Sequence, residues 1–389
     1  MTFEPAGRRV ILLGNDPADA QWSMLQYGEY LQRGLQAASG RRLEILLRSP
    51  DTRWIGSGIR SGRIGRAAGM YASRHFFYPL MIRKKEACLH HVLDQGNASL
   101  MRWLDPEKTI VTCHDLIPMV LESWKKSLSP SLSRWALDRE SDGLRRARRL
   151  IAVSECTKRD LVARLGYPAE RIDVIPLGLD PRLRPSVSAE ELRQTRRRFQ
   201  LPEGPLLLHV GQNAGYKNIE GVLLALAVLV QRKEPVHLVR VGPALTPAQR
   251  RLARKTGIQD RILEKTGLEK EDLFALYRAA DLLVYPSWYE GFGLPPLEAM
   301  ASGLPVVASD RGALPETVAE AGILFPADRP DETAGGIQRM LHDSSLREEM
   351  RRRGLERAGR FRWEETAART LRVYRPFLDD ILGSNPETS

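Results

Sequence analysis

Long apolar runs are missing from this 389-residue chain: no stretch of about 18 or more hydrophobic residues occurs, which excludes a bilayer-spanning helix. Cysteine is scarce. Cys88, Cys113 and Cys156 are odd in number and widely separated, so neither a disulfide framework nor a zinc knuckle is expected, and a reducing cytoplasm fits best. The 7 histidines form no His-x-x-x-His or His-x-Glu pair, so no metal site or metal cofactor is expected. No Gly-x-Ser-x-Gly elbow marks a hydrolase, and no zinc-finger spacing or RNP-like aromatic box marks a nucleic-acid binder. The N-terminal MTFEPAGRRVILLGND has too short an apolar stretch, and no small-residue cleavage site, for a secretory signal; it reads as a first strand and its turn.

What is present is an ordinary globular composition, 42% hydrophobic and 28% charged, long enough for two domains with proper cores. The net charge of +11 is uneven: residues 1–180 hold 28 Lys and Arg against 20 Asp and Glu, the remainder 31 against 28. Such a surplus attracts something anionic, whether nucleic acid, an acidic membrane face or a phosphorylated substrate.

Short apolar strands alternate with helical stretches along the whole chain, predicting α/β architecture with doubly wound parallel sheets. In the first half, strands are expected at 8–13, 43–47, 109–113, 150–153 and 171–175, with a helix over 24–38. Residues 52–70, rich in Gly, Ser and Arg, read as a flexible loop or the entry to a helix. Arg145, Arg146, Arg148 and Arg149 are placed on a helix before the strand at 150–153, and Arg351–Arg353 on another, both as solvated faces. Turn signals at 180–185 and 201–205 put a boundary between them. The second half predicts strands at 206–210, 236–241, 261–264, 282–285, 305–308 and 323–325. Its helices are expected at 219–231, 247–256, 269–280 and 295–301, with a final helix over 363–382 and a frayed tail.

Two loops at strand ends could cradle a diphosphate. In the stronger, Ser287-Trp288-Tyr289-Glu290-Gly291-Phe292-Gly293-Leu294-Pro295-Pro296-Leu297-Glu298, glycines allow close backbone approach and a helix begins at Pro295 or Pro296, offering N–H groups to a phosphate. Glu298 is expected in the first helical turn, where it either reaches a diol such as a ribose or only complements the helix dipole. Gly291 and Gly293 either serve the ligand or only make a turn. The weaker loop is Gly211-Gln212-Asn213-Ala214-Gly215-Tyr216-Lys217-Asn218, in which Lys217 meets a phosphate as a point charge or is merely a solvated lysine at a capped helix. It is not a P-loop, and Pro296 replaces the third glycine of a dinucleotide fingerprint. His114 closes the strand at 109–113 and reads as a packed residue or a ligand contact.

At these loops the chain resembles the retaining glycosyltransferases of family 4 (group 1). The resemblance covers most of the chain and rests on Glu290-Gly291-Phe292-Gly293-Leu294-Pro295-Pro296-Leu297-Glu298 followed by Ala299-Met300-Ala301-Ser302-Gly303-Leu304-Pro305-Val306-Val307, similar to that family's two-glutamate motif. Tyr277-Arg278-Ala279-Ala280-Asp281, Ala152-Val153-Ser154 and Val174-Ile175-Pro176-Leu177-Gly178 support it. The resemblance implies the GT-B fold, two facing Rossmann-like domains with an interdomain cleft. These would be an acceptor-binding domain at 1–182, a nucleotide-sugar-binding domain at 183–362, and a C-terminal helix at 363–389 crossing back to the first.

It also implies roles. Glu298 holds the donor ribose, Glu290 contacts the transferred sugar, and Gly211, Gly291, Phe292, Gly293 and Leu294 line the donor site through the backbone. Lys217 neutralises the leaving diphosphate and His114 contacts the donor sugar. An arginine usually follows the glycine at position 211 in the family; here Gln212 stands there, leaving phosphate charge less well compensated. His114-Asp115-Leu116-Ile117-Pro118 is similar to members using mannose-like donors. The implied activity is transfer of a hexose from a nucleotide-diphosphate sugar, with no cofactor, to a saccharide or lipid-linked acceptor. It would serve surface polysaccharide or glycolipid synthesis at the inner membrane face. The competing expectations are a nucleotide-sugar-binding protein without transfer activity and, least supported, a nucleic-acid-binding protein.

Overall fold

The computed structural model describes residues 8–19, 21–52, 69, 73–82, 88–121, 130–185 and 188–383. The Gly/Ser/Arg-rich stretch at 52–70 lies outside the described residues except for Thr52 and Gly69, as does the tail from 384. The chain divides into two units, residues 1–178 with 362–389, and residues 179–361.

In the first unit six parallel strands, β1 (Arg8–Leu13), β2 (Leu43–Arg48), β3 (Leu89–Val92), β4 (Thr109–Cys113), β5 (Arg149–Ala152) and β6 (Ile172–Val174), lie in the order β2-β1-β3-β4-β5-β6. The longer helices are α1 (Trp22–Ser39), α2 (Pro130–Arg146) and α3 (Glu155–Leu165). β3 was not expected. Its Leu-His-His-Val sequence interrupts an apolar run, yet all four residues are buried. His91 is accommodated because Nδ1 meets the Tyr374 hydroxyl at 2.6 Å and Nε2 meets Thr112 Oγ1 at 2.7 Å. Burial pushes its pKa down to about 3, so the ring is neutral inside the sheet. The four-arginine helix also needs correcting. Only Arg145 and Arg146 end α2; Arg148 lies past the helix, and Arg149 opens β5, where its side chain pairs with Asp173.

The final helix, Trp363–Gly383, belongs to this first unit. Trp363 stacks on Tyr30 at 5.2 Å, and the Thr366 hydroxyl donates to the Pro176 carbonyl at 2.8 Å. The helix approaches α1 at Gly34, where a Cβ would come within 2.8 Å of Ala367 Cβ.

The second unit repeats the plan with β7 (Leu206–Val210), β8 (His237–Val241), β9 (Ile262–Lys265), β10 (Leu282–Tyr285), β11 (Val306–Ser309) and β12 (Ile323–Phe325). Its longer helices are α4 (Ala189–Arg198), α5 (Ile219–Gln231), α6 (Pro247–Lys255), α7 (Lys270–Ala279), α8 (Leu294–Ala301), α9 (Pro330–His342) and α10 (Ser344–Ala358). The central strands are almost continuously apolar because helices cover both faces of a parallel sheet; every residue of β7, β10 and β11 is buried. Leu223 and Leu226 of α5 and Ile337 and Met340 of α9 complete that core against Leu207, Val284 and Val307. The strand order is β12-β11-β10-β7-β8-β9, so the winding direction reverses between β7 and β10. Doubly wound sheets bind ligands at the carboxyl ends of the strands beside such a reversal. The loops leaving β7 and β10 are the two glycine-bearing loops singled out in the sequence.

No described helix is long and apolar enough to cross a membrane, and the three cysteines are buried free thiols.

Candidate active site

The β7 loop turns through a short 3-10 segment, Gly215–Lys217, into α5. Asn218 makes the turn possible. It sits in the left-handed region (φ 51°), a conformation asparagine tolerates, and its side chain caps α5 by accepting from the Gly221 N–H. Its amide also donates to the carbonyls of Pro286 and Ala327, each at 2.9 Å, tying the β7 loop to the β10 loop. A second tie runs from the Trp288 N–H to the Tyr216 carbonyl at 2.7 Å. The sequence carried a signal for this: an Asn immediately before an apolar helix is a preferred N-cap.

These ties bring Lys217 and Glu290 together. Lys217 Nζ lies 2.8 and 3.0 Å from the two Glu290 oxygens and donates to the Tyr285 hydroxyl at 2.7 Å. The three N–H donors of the ammonium therefore face three acceptors. Both charged side chains are buried, 11% and 9% exposed. Tyr285, at the end of β10, is raised well above its ordinary pKa by burial and then by the Glu290 charge, so it stays a neutral phenol. Lys217 is thus not a solvated lysine; it is the buried partner of a carboxylate.

The backbone of Glu290 is fixed by a residue outside both motifs. Its carbonyl accepts from Ala313 N–H at 2.9 Å. Gly312, with φ +59°, packs so closely that a Cβ there would stand 2.6 Å from Glu290 N and 2.5 Å from its carbonyl oxygen. Gly293, with φ +100°, is the N-cap of α8. The N–H groups of Phe292 and Gly293 make no hydrogen bond to protein among the described residues, whereas the Phe292 carbonyl takes the Thr317 hydroxyl. Because α8 starts at Leu294, Pro295 and Pro296 fall at its second and third positions and remove two amide donors from the helix mouth. The amides available to an anion therefore come chiefly from the loop ahead of α8.

Glu298 is the fifth residue of α8, beyond the first turn where it was expected, so the dipole reading loses its basis. Its Oε2 accepts from the Tyr277 hydroxyl at 2.8 Å. Burial raises its pKa, opposed by the Tyr277 bond and by Lys270. Tyr277, fully buried on α7, orients the glutamate; its place before the strand at 282–285 gave no local signal of that contact. Gly211 follows β7, with its N–H on Val241 O at 3.0 Å, and Gln212 is exposed beside it. Leu294 is half-buried. Of the expected donor residues, Gly211, Gln212, Lys217, Glu290, Gly291, Phe292, Gly293, Leu294 and Glu298 all lie on the two loops and α8, at the winding reversal of the second unit.

His114 follows β4 in the first unit. Its Nε2 faces the Leu93 carbonyl at 2.9 Å, which only accepts, so Nε2 carries the proton. Burial lowers its pKa, partly offset by Asp94. The imidazole is therefore neutral, with Nδ1 a buried acceptor lacking a hydrogen-bond partner among the described residues. At the winding reversal of that sheet, between β1 and β3, Asn15 bonds the Asp94 carboxylate, and Asp16 accepts from Ser73 at 2.7 Å and from Thr52. Among the described residues no group of His, Cys, Asp and Glu could hold a metal ion.

Comparison with known proteins gives a consistent answer. The family model described as "Glycosyl transferases group 1" matches residues 193–357, and "Glycosyltransferase Family 4" matches residues 64–183. The chain is 31% identical over 273 residues to the O-antigen chain mannosyltransferase B of Escherichia coli, covering 69% of this chain and 70% of that one. It is 29% identical to the serotype-specific mannosyltransferase WbdA of the same organism over 67% of this chain, but spans only 32% of WbdA. Among solved structures, HepE from Anabaena, in complex with UDP and glucose, superposes with a TM-score of 0.71 at 18% identity, covering 95% of this chain and all of that one.

Proposed function

This chain belongs to the group 1, family 4 glycosyltransferases and has their GT-B fold, and from that premise we propose that it transfers a mannose-like hexose from a nucleotide-diphosphate donor, with retention of anomeric configuration, to a saccharide or lipid-linked acceptor in surface polysaccharide or glycolipid synthesis. The observation that carries the donor reading is the Lys217–Glu290–Tyr285 cluster at the winding reversal, with Glu298 held by Tyr277 on the next helix. The names of the mannosyltransferase relatives and the UDP and glucose held by HepE support the substrate class.

The chemistry follows from these groups. Breaking the anomeric C–O bond leaves positive charge on the sugar and negative charge on the departing diphosphate. Lys217 is paired with Glu290. When Glu290 turns to the hydroxyls of the transferred sugar, the ammonium is released toward the phosphate, assisted by the Phe292 and Gly293 amides. Glu298 takes the ribose diol. His114, through Nδ1, accepts from a sugar hydroxyl. The acceptor hydroxyl attacks the face the diphosphate leaves; a departing phosphate oxygen takes its proton as the new C–O bond forms. Glu290 orients the sugar and does not become covalently attached. No metal or cofactor enters this scheme.

The basic surplus of residues 1–180 suits an anionic membrane face carrying a lipid-linked acceptor. Phe76 and Leu80, 67% and 82% exposed, add apolar side chains to it. Flotation with anionic vesicles at low salt should carry the protein upward; a protein left at the bottom would refute membrane attachment.

The deciding experiment is a thermal-shift panel of nucleotide diphosphates and nucleotide sugars, followed by a transfer assay with the best stabiliser and NMR assignment of the product anomer. A donor should raise Tm by mass action and give a retained product. No stabilisation by any member overturns the donor reading, binding without turnover supports a binding protein, and an inverted product overturns retention.

A further inference from the structure

Arg240, on β8, carries the bulkiest side chain that is wholly buried among the described residues, with 1% exposure. A cation in such a place normally has a carboxylate against it, because desolvating an unpaired charge is expensive. Arg240 forms no ion pair among the described residues. Its Nη2 donates to the Gly211 carbonyl at 2.8 Å, its Nη1 to the Val241 carbonyl, and its Nε has no partner. Its sheet neighbours give it no contact ion pair among the described residues. His209 on β7 is driven to the neutral form by burial and by Arg240 itself, and the Glu264 carboxylate on β9 is committed to Arg250 and the Leu245 N–H, both at 2.7 Å. Burial lowers the Arg240 pKa to about 10, opposed at a distance by the Glu264 charge, which still leaves the guanidinium charged at neutral pH.

The surroundings are shaped for this group. Gly242, with φ +136°, leaves the slot in which Nη1 sits; a Cβ there would run into Nη1 and into the Gly211 carbonyl oxygen. The guanidinium therefore lies beneath the Gly211 turn, at the carboxyl ends of β7 and β8, where doubly wound sheets bind ligands. Position 212 is neutral and exposed, and the Lys217 charge is paired with Glu290.

We propose that Arg240 is a built-in positive charge that strengthens binding of the donor's diphosphate from beneath the β7 loop, as a positioning residue that does not touch the substrate. Its unpaired charge is offset when the anionic ligand arrives, and its bond to the Gly211 carbonyl fixes the turn that faces it. The inference rests on the donor reading above.

The test is isothermal titration of the full chain with GDP and UDP, and with guanosine and uridine as uncharged references. Arg240→Met should weaken the better-bound diphosphate at least about tenfold, equivalent to 1.4 kcal/mol, and weaken its nucleoside less than threefold. Equal losses for both overturn the proposal, since a merely structural role would disturb base and diphosphate alike; so does no loss for either. Arg240→Lys covers the case in which Arg240→Met does not fold. A buried lysine titrates below its ordinary range, so diphosphate affinity of that variant should fall between pH 7 and 10, and wild type should show a smaller fall. Lys217, Glu290, His209, Tyr285 and Glu264 face the region in both proteins, so the comparison isolates position 240. Parallel pH profiles overturn the proposal. If wild type binds neither diphosphate, the donor reading itself fails, an outcome visible before any variant is made.

Discussion

The Lys217–Glu290 pair gives the sharpest quantitative expectation. Lys217→Met leaves the Glu290 carboxylate, 9% exposed, without its cation and beside the neutral Tyr285 phenol. Breaking a buried pair from one side costs about 3–5 kcal/mol, whereas replacing both partners by neutral groups is often nearly neutral. For a unit the size of residues 179–361, each kcal/mol moves Tm by about 2–4 °C. Lys217→Met should therefore melt roughly 10 °C below wild type, and Lys217→Met/Glu290→Gln should recover most of that loss. Transfer behaves differently. If Lys217 also stabilises the departing diphosphate, the rate falls about 10²–10³-fold in the single variant and stays low in the double. Calorimetric melts and initial rates on the same four proteins of the mutant cycle read both quantities. A double variant no more stable than Lys217→Met would refute the buried-pair argument, and a near wild-type rate for Lys217→Met would refute the leaving-group role.

Other expectations are separable. Gly312→Ala must move the Glu290 backbone or strain its own φ of +59°; kcat should fall at least tenfold while the nucleoside diphosphate Kd changes little, and unchanged kcat would show that Glu290 does not need its present position. Tyr277→Phe removes the hydrogen bond that holds Glu298, so donor KM should rise several-fold with kcat nearly constant, measured by steady-state kinetics. In the first unit, burial raises the Glu140 carboxyl from 4.5 to about 8, with Arg74 opposing and Asp94 and Asp115 reinforcing. A raised acid stabilises fully below its unfolded pKa and loses that contribution as pH climbs through the folded one. Stability should therefore decline from about pH 4.5 to 8, and Glu140→Gln should flatten the decline in urea melts taken across that range; an unaltered slope would contradict it.

The strands at 206–210, 282–285 and 323–325, the helix at 219–231 and the two loops beside β7 and β10 were all legible in the sequence. Their apolar runs, glycines and prolines act locally, and period and turn chemistry need no distant partner. β3 was illegible because its two histidines are tolerated only where Tyr374 and Thr112, far away in the chain, satisfy the ring of His91. The same reason hid the sharper features of the site. A lysine at position 217 and a glutamate at position 290 are readable as letters, but their pairing depends on Asn218 stitching one loop to the other. Gly312 and Arg240 carry no local signal: one matters because a Cβ there would come within 2.6 Å of the Glu290 backbone nitrogen, the other because its side chain turns inward under Gly211. What the chain alone determined was the family pattern and the position of the two glycine-bearing loops. Which charges are spent on each other and which are left unpaired was decided only by packing, because burial and partner distance, which set the cost of a charge, are properties of the folded protein.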